Sequence, residues 1–179
     1  MKWDSRRTAL ANFAAAMQGR DELNFSIPQI GMIMGGSGSG KTSNLERLIG
    51  LALENGTTVC YIDTKGAKKR LDTLSLNELR THGLDGLFDL QERYSSRMMF
   101  LREGDEIPLP TKNFVMAVDE LDITTRLGRK TALEIKEYLE GNGECLIAVN
   151  CSSVLRAILP NRYVDQIDSS ARLADEMRY

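Results

Sequence analysis

The octapeptide GGSGSGKT, at positions 35–42, constrains what this chain can fold into more than any other stretch. Glycines stand at 35, 36, 38 and 40. Glycine reaches positive φ without steric cost, so such a run lets successive backbone N–H groups close around an anion. An apolar run, IGMIM at 30–34, comes before it, and SNLERLIGLALENG at 43–56 follows. The first reads as a strand buried on both faces. In the second, Leu45, Leu48, Ile49 and Ala52 share one helical face, and Gly56 stops the helix. That order aims the positive end of the helix dipole at whatever the turn encloses. The pattern G-x-x-x-x-G-K-[ST] is met at every fixed position, which predicts a phosphate cradle from Gly35, Gly36, Ser37, Gly38, Ser39, Gly40, Lys41, Thr42 and Ser43. The competing reading, a Gly/Ser linker that happens to contain GKT, is disfavoured by the flanking strand and helix.

The cradle implies a nucleoside triphosphate with Mg²⁺. Lys41 is placed to reach the β- and γ-phosphates, and the Thr42 hydroxyl to face the metal. A second run, VMAVDELDI at 115–123, delivers Asp119 and Glu120 side by side at the end of an apolar strand. Asp119 is the expected metal-holding acid. Glu120 is the expected base that polarises a water for attack on the γ-phosphate, its structural alternative being a helix cap or a lysine pair. ECLIAVN, at 144–150, ends a later strand at Asn150, a candidate sensor of the γ-phosphate, although asparagine is also a common turn residue.

Elsewhere, TTVCYIDT at 57–64 reads as a strand, and residues 65–111 are hardest to read. Short helices are expected around LNELRTHGLDGLFDLQERY, a strand at RMMFL, and a break at IPLPTK. KTALEIKEYLEGNG reads as a helix with Thr131 as N-cap and Gly141 or Gly143 past its end. NRYVDQID is a weaker strand, and a last helix follows Ser169 or Ser170. Strands alternating with helices predict an α/β fold, the three-layer sandwich of a P-loop NTPase of the ASCE type, with a mainly parallel central sheet. An alanine-rich helix and a polar link, residues 1–26, would form an N-terminal arm before an ATPase domain at 27–179.

Four segments together resemble the FtsK/HerA class of DNA-pumping ATPases: IPQIGMIMGGSGSGKTSN, VCYIDTKG, VMAVDEL and IAVNCSS…ILPNRY. Thr64 stands where that class has the proline of Asp-Pro-Lys-Gly. Val149, Asn150, Cys151, Ser152 and Ser153 replace its usual Thr-Gln-Arg-Pro-Ser. The resemblance implies ATP hydrolysis, double-stranded DNA as partner and a homo-oligomer, a hexameric ring. Arg162, in the Leu-Pro-Asn-Arg segment, is then the first candidate for an arginine acting on the neighbouring subunit's nucleotide, with Arg126, Arg129 and Arg156 as rivals. Within the class, a core of this brevity is similar to genome-packaging ATPases of membrane-containing, double-jelly-roll viruses, which would add a capsid or membrane vertex protein as partner. A protein-remodelling or filamentous-phage-type assembly ATPase, and a nucleotide switch with little turnover, are the alternatives.

Bulk properties set few further limits. The 179 residues carry a net charge of −2, so polyanion contact must come from local patches such as KGAKKR at 65–70 and RLGRK at 126–130. For either patch alone, a solvated loop is at least as good a reading. No run nears the roughly 20 apolar residues of a membrane span. The start, MKWDSRRTAL, has no apolar signal core, and Cys60, Cys145 and Cys151 lack metal-like spacing. A cytoplasmic protein with reduced thiols is expected, or one at a virion vertex. The single histidine, His82, is assigned no chemistry.

Overall fold

In a computed structural model, the described residues are 25–27, 30–34, 40–64, 85–149 and 152–161. Six strands form one sheet: β1 (Phe25–Ile27), β2 (Ile30–Met34), β3 (Thr58–Asp63), β4 (Met98–Arg102), β5 (Phe114–Asp119) and β6 (Cys145–Val149). The order across the sheet is β1-β2-β6-β5-β3-β4. Only the β1–β2 pair is antiparallel. Four helices complete the described fold: α1 (Lys41–Glu54), α2 (Asp85–Arg93), α3 (Arg126–Glu140) and α4 (Ser152–Ile158).

Alternating side chains on the central strands feed two separate cores, as expected of strands covered on both faces. Val59, Tyr61, Val115, Ala117, Leu146 and Ala148 pack with Leu45, Leu48, Ile49, Ala52 and Leu53 of α1. Their sequence neighbours Cys60, Ile62, Met116, Val118, Cys145 and Ile147 pack with Ala132, Ile135, Tyr138 and Leu139 of α3 and Val154 and Ile158 of α4. The result is the expected α/β sandwich with a mainly parallel sheet. Strand β2, helix α1 and the neighbouring parallel strands follow the order of a P-loop NTPase fold. One strand, β6, stands between the strand that precedes the glycine turn and the strand that carries the paired acids.

Several local features differ from the sequence reading. Phe25–Ile27, expected within a polar link, adds an edge strand paired Phe25↔Met32 and Ile27↔Ile30, so the expected boundary at 26/27 falls inside it. Helix α3 starts five residues before Thr131. Its N-cap is Thr125, whose hydroxyl accepts from the Gly128 N–H at 2.9 Å. Thr131 is instead buried in the helix and accepts from the Gly104 N–H at 2.9 Å. The end of α3 is as expected: Gly141 is its C-cap, with φ −79°, and Asn142 after it is left-handed, with φ 67°. Gly143 is buried against the Tyr138 ring, where a Cβ would not fit. Helix α4 covers SSVLRAI, where no element was expected. The expected N-terminal helix, the segment 163–168 and the final helix lie outside the described residues.

Cys60 and Cys145 are buried free thiols. Burial pushes each up to about 12, so neither supplies a thiolate near neutrality. Cys151 and His82 lie outside the described residues. No helix among the described residues is long and apolar enough to cross a membrane.

Two glycine substitutions should move stability in opposite directions. At Gly128 an added Cβ would overlap the Asp122 carbonyl oxygen at the start of α3, so Gly128→Ala is expected to cost about 1–3 kcal/mol. At Gly50, inside α1, it would meet only Leu90 at 3.5 Å, an ordinary contact. Gly50→Ala should therefore gain about 0.5–1 kcal/mol from helix propensity. Urea unfolding of both variants against the parent checks the two signs.

Candidate functional site

Four parallel strands end at one edge of the sheet. The register pairs Met34 with Val149, Ala148 with Asp119, and Val118 with Ile62. The C-terminal ends of β2, β6, β5 and β3 are thus level, the place where open α/β sheets bind ligands. Gly40, with φ 84°, turns the chain into α1. No side chain caps this helix, and its first turn holds no acidic residue. A conventional Ser/Asp cap or a first-turn carboxylate would compete for the helix dipole that an anionic ligand needs.

Lys41 and Thr42 open α1 and face the end of β5. The Thr42 hydroxyl donates to Asp119 Oδ2 at 2.8 Å. Lys41 Nζ lies 3.2 Å from Glu120 Oε1. Asp119 is fully buried and Lys41 is 4 % exposed, while the Glu120 side chain keeps 31 % of its surface open to solvent. The two residues of the helix start therefore meet the two acids in pairs, one deep and one at the surface. A buried ammonium costs several kcal/mol unless a carboxylate or hydrogen bonds offset it, so the Lys41–Glu120 pair is a condition of burying the lysine.

Glu120 also departs from regular backbone, with φ 52°. Its N–H donates to the Ala148 carbonyl of β6 at 2.9 Å. On the other side, the Thr64 hydroxyl, one residue past β3, donates to the Asp119 carbonyl. The loop beyond is built by Asp122, whose Oδ1 accepts from the Thr124 N–H at 2.9 Å and hydroxyl at 2.6 Å. Those two bonds hold the exposed Asp122 carboxyl below its usual range. Thr64 and Asp122 had no role in the sequence reading. Thr64 was legible only as a polar residue at a strand end.

The donor set fits Mg²⁺. A threonine hydroxyl and a carboxylate are hard oxygen ligands, and they already meet at hydrogen-bond distance. Among the described residues no group of three or more His, Cys, Asp or Glu could hold a metal. Protein binds Mg²⁺ typically through one or two oxygens, with waters and substrate phosphates as the remaining ligands.

Not every candidate is brought to this site. Gly35, Gly36, Ser37, Gly38, Ser39, Asn150 and Arg162 lie outside the described residues, as does the basic segment 65–70. Ser43 is exposed in the first turn of α1. The three rival arginines are exposed. Arg126 begins α3, Arg156 lies on α4, and Arg129 Nη1 donates to the Thr124 carbonyl at 2.8 Å. Lys130 Nζ donates to the Gly104 carbonyl at 2.6 Å and lies 3.4 Å from Glu134. In the RLGRK patch, two of the three cations are thus engaged within the fold.

The Lys41–Glu120 pair makes an asymmetric prediction for the ligand-free protein. Glu120→Ala withdraws the carboxylate from a buried ammonium and should cost about 1–3 kcal/mol. Lys41→Met replaces the cation by an apolar chain of similar length and leaves a part-exposed glutamate, so its cost should be smaller. Chemical unfolding of both single variants and the double variant reads the difference as a coupling term.

No family model matches the chain. No curated protein matches it. Among solved structures the chain is similar to the monomer form of the pCW3 conjugation coupling protein TcpA with ATPγS, at 16 % identity and a TM-score of 0.38. The match covers 80 % of this chain and 47 % of that one, so this chain spans about half the length of that protein.

Proposed function

We propose that this chain hydrolyses ATP to move double-stranded DNA, as part of a homo-oligomeric ring, and that the DNA is a viral genome being packaged. One observation carries the catalytic part. Lys41 and Thr42 at the start of α1 are in contact with Glu120 and Asp119 at the end of β5. A site that only stored nucleotide would need the first pair. The glutamate beside the metal acid adds a base for water.

In this reading Lys41 takes the β- and γ-phosphates, and Thr42 and Asp119 hold Mg²⁺, with the backbone of 35–43 enclosing the phosphates. Magnesium supplies charge neutralisation on the phosphate oxygens. Substrate phosphates give the Lys41 ammonium an anionic partner besides Glu120. The Glu120 carboxylate, already part-exposed, is then available to orient a water and accept its proton. Asn150 serves as sensor of the γ-phosphate, and Arg162 completes the neighbouring subunit's site in the ring. DNA as cargo and the hexamer are supported by the four-motif resemblance to FtsK/HerA-class pumps; packaging, with a capsid or membrane vertex partner, is the narrower placing proposed within that class.

The test is ATP turnover by purified protein with and without long duplex DNA, alongside the mass of the assembly. Turnover stimulated by duplex DNA is expected. Turnover indifferent to DNA would favour protein remodelling, and binding without turnover would favour a switch. Lys41→Ala should weaken fluorescent-ATP binding roughly 10- to 100-fold, the loss of one charge-assisted contact. Glu120→Gln should keep binding while turnover falls by roughly 10²–10⁴.

A further inference from the structure

Three non-glycine residues among those described have positive φ: Asn113, Glu120 and Asn142. Asparagine tolerates that region because its short amide bonds locally to the backbone. Glutamate has no such compensation, so an outside restraint must hold Glu120 there. Two hydrogen bonds act on the peptide that joins Asp119 to Glu120 and fix the plane from which that φ is turned. Its N–H is tied to Ala148 of β6 and its carbonyl to the Thr64 hydroxyl at the end of β3.

The position of Thr64 explains why a side chain is used. The β3–β5 pairing runs to Ile62↔Val118, and Thr64 lies beyond the last strand residue, Asp63. The hydroxyl therefore adds one more rung after the regular ladder has ended. With both ends gripped, the peptide plane cannot turn, and φ 52° sets the direction in which the Glu120 side chain leaves the backbone. That direction brings its carboxylate to Lys41.

We infer that Thr64 is a positioning residue for the hydrolytic step: by clamping the Asp119–Glu120 peptide it aims the Glu120 carboxylate. This rests on the proposed role of Glu120 as base. Lys41 and Thr42 are carried by α1, so the clamp governs turnover and leaves the metal-independent part of nucleotide affinity alone.

Thr64→Val removes the hydroxyl at nearly constant shape, and Thr64→Ser keeps it. For Thr64→Val, kcat should fall roughly 10- to 100-fold with ATP affinity, titrated without Mg²⁺, within about twofold, since small misplacement of a reacting group costs that much. Thr64→Ser should retain kcat near wild type. In a Glu120→Gln background, Thr64→Val should cause no further loss. Thr64→Ala serves as second variant if the valine compromises folding, monitored by circular dichroism melts. A wild-type protein that turns over ATP, with Thr64→Val unchanged in kcat or equally damaging in the Glu120→Gln background, overturns the clamp alone. A wild type without turnover overturns the hydrolysis reading instead. The clamp is then still decided by crystal structures of wild type and Thr64→Val, and an unchanged Asp119–Glu120 peptide plane and Glu120 carboxylate position in the variant sinks it.

Discussion

Level parallel pairing of β2, β6, β5 and β3 is the constraint on which the rest of this molecule depends. Because these strands run the same way and in register, the turn that follows β2 and the acids that end β5 emerge on one edge. The intervening β6 sets the gap at two inter-strand spacings, roughly 10 Å. A slip of one residue would turn Asp119 to the opposite face of the sheet. It would also exchange the two core faces on β5, which makes such a slip expensive. The same apolar alternation that builds two cores thus fixes the chemistry at the edge.

That edge places charge where a core would prefer none. Asp119 is fully buried and Lys41 nearly so. Each is accommodated by a contact across the β5–α1 boundary: a hydroxyl for the aspartate, a carboxylate for the lysine. The pairing has a functional side. Lys41 meets Glu120 in the ligand-free fold, so a phosphate would have to compete with a carboxylate for the ammonium. Strained backbone at Glu120 belongs to the same pattern, in which local destabilisation is held in place by the surrounding sheet.

Helix α3 gives the other face of the sheet its rigidity. Its start is fixed by the Thr125 cap and by the close approach of Gly128 to Asp122. This short loop connects the acids of β5 to a helix packed on β5 and β6. Displacement at Glu120 is therefore opposed from three sides: β3 through Thr64, β6 through Ala148, and the capped loop ahead of α3.

Long apolar runs were enough to read the α/β class, the central strands and the face of α1, and residue chemistry singled out Lys41, Thr42, Asp119 and Glu120 as candidates, which the fold brings into contact. These follow from periodicity and from residue chemistry that few other arrangements can use. Features set by distant partners were not readable. Edge strand β1 is three residues in a polar stretch, stabilised by pairing with β2. Thr125 rather than Thr131 caps α3 because the loop from Asp122 delivers it, and threonine propensity alone does not separate the two. The sequence by itself determined which residue types are candidates to hold a phosphate and a metal, since glycine, lysine, threonine and paired acids carry that chemistry locally. Only the tertiary structure decided that Lys41 pairs with Glu120, that Thr42 pairs with Asp119, and that Thr64 grips the peptide between the acids. Those contacts join residues 55 to 79 positions apart, and their geometry exists only once four strands have been aligned.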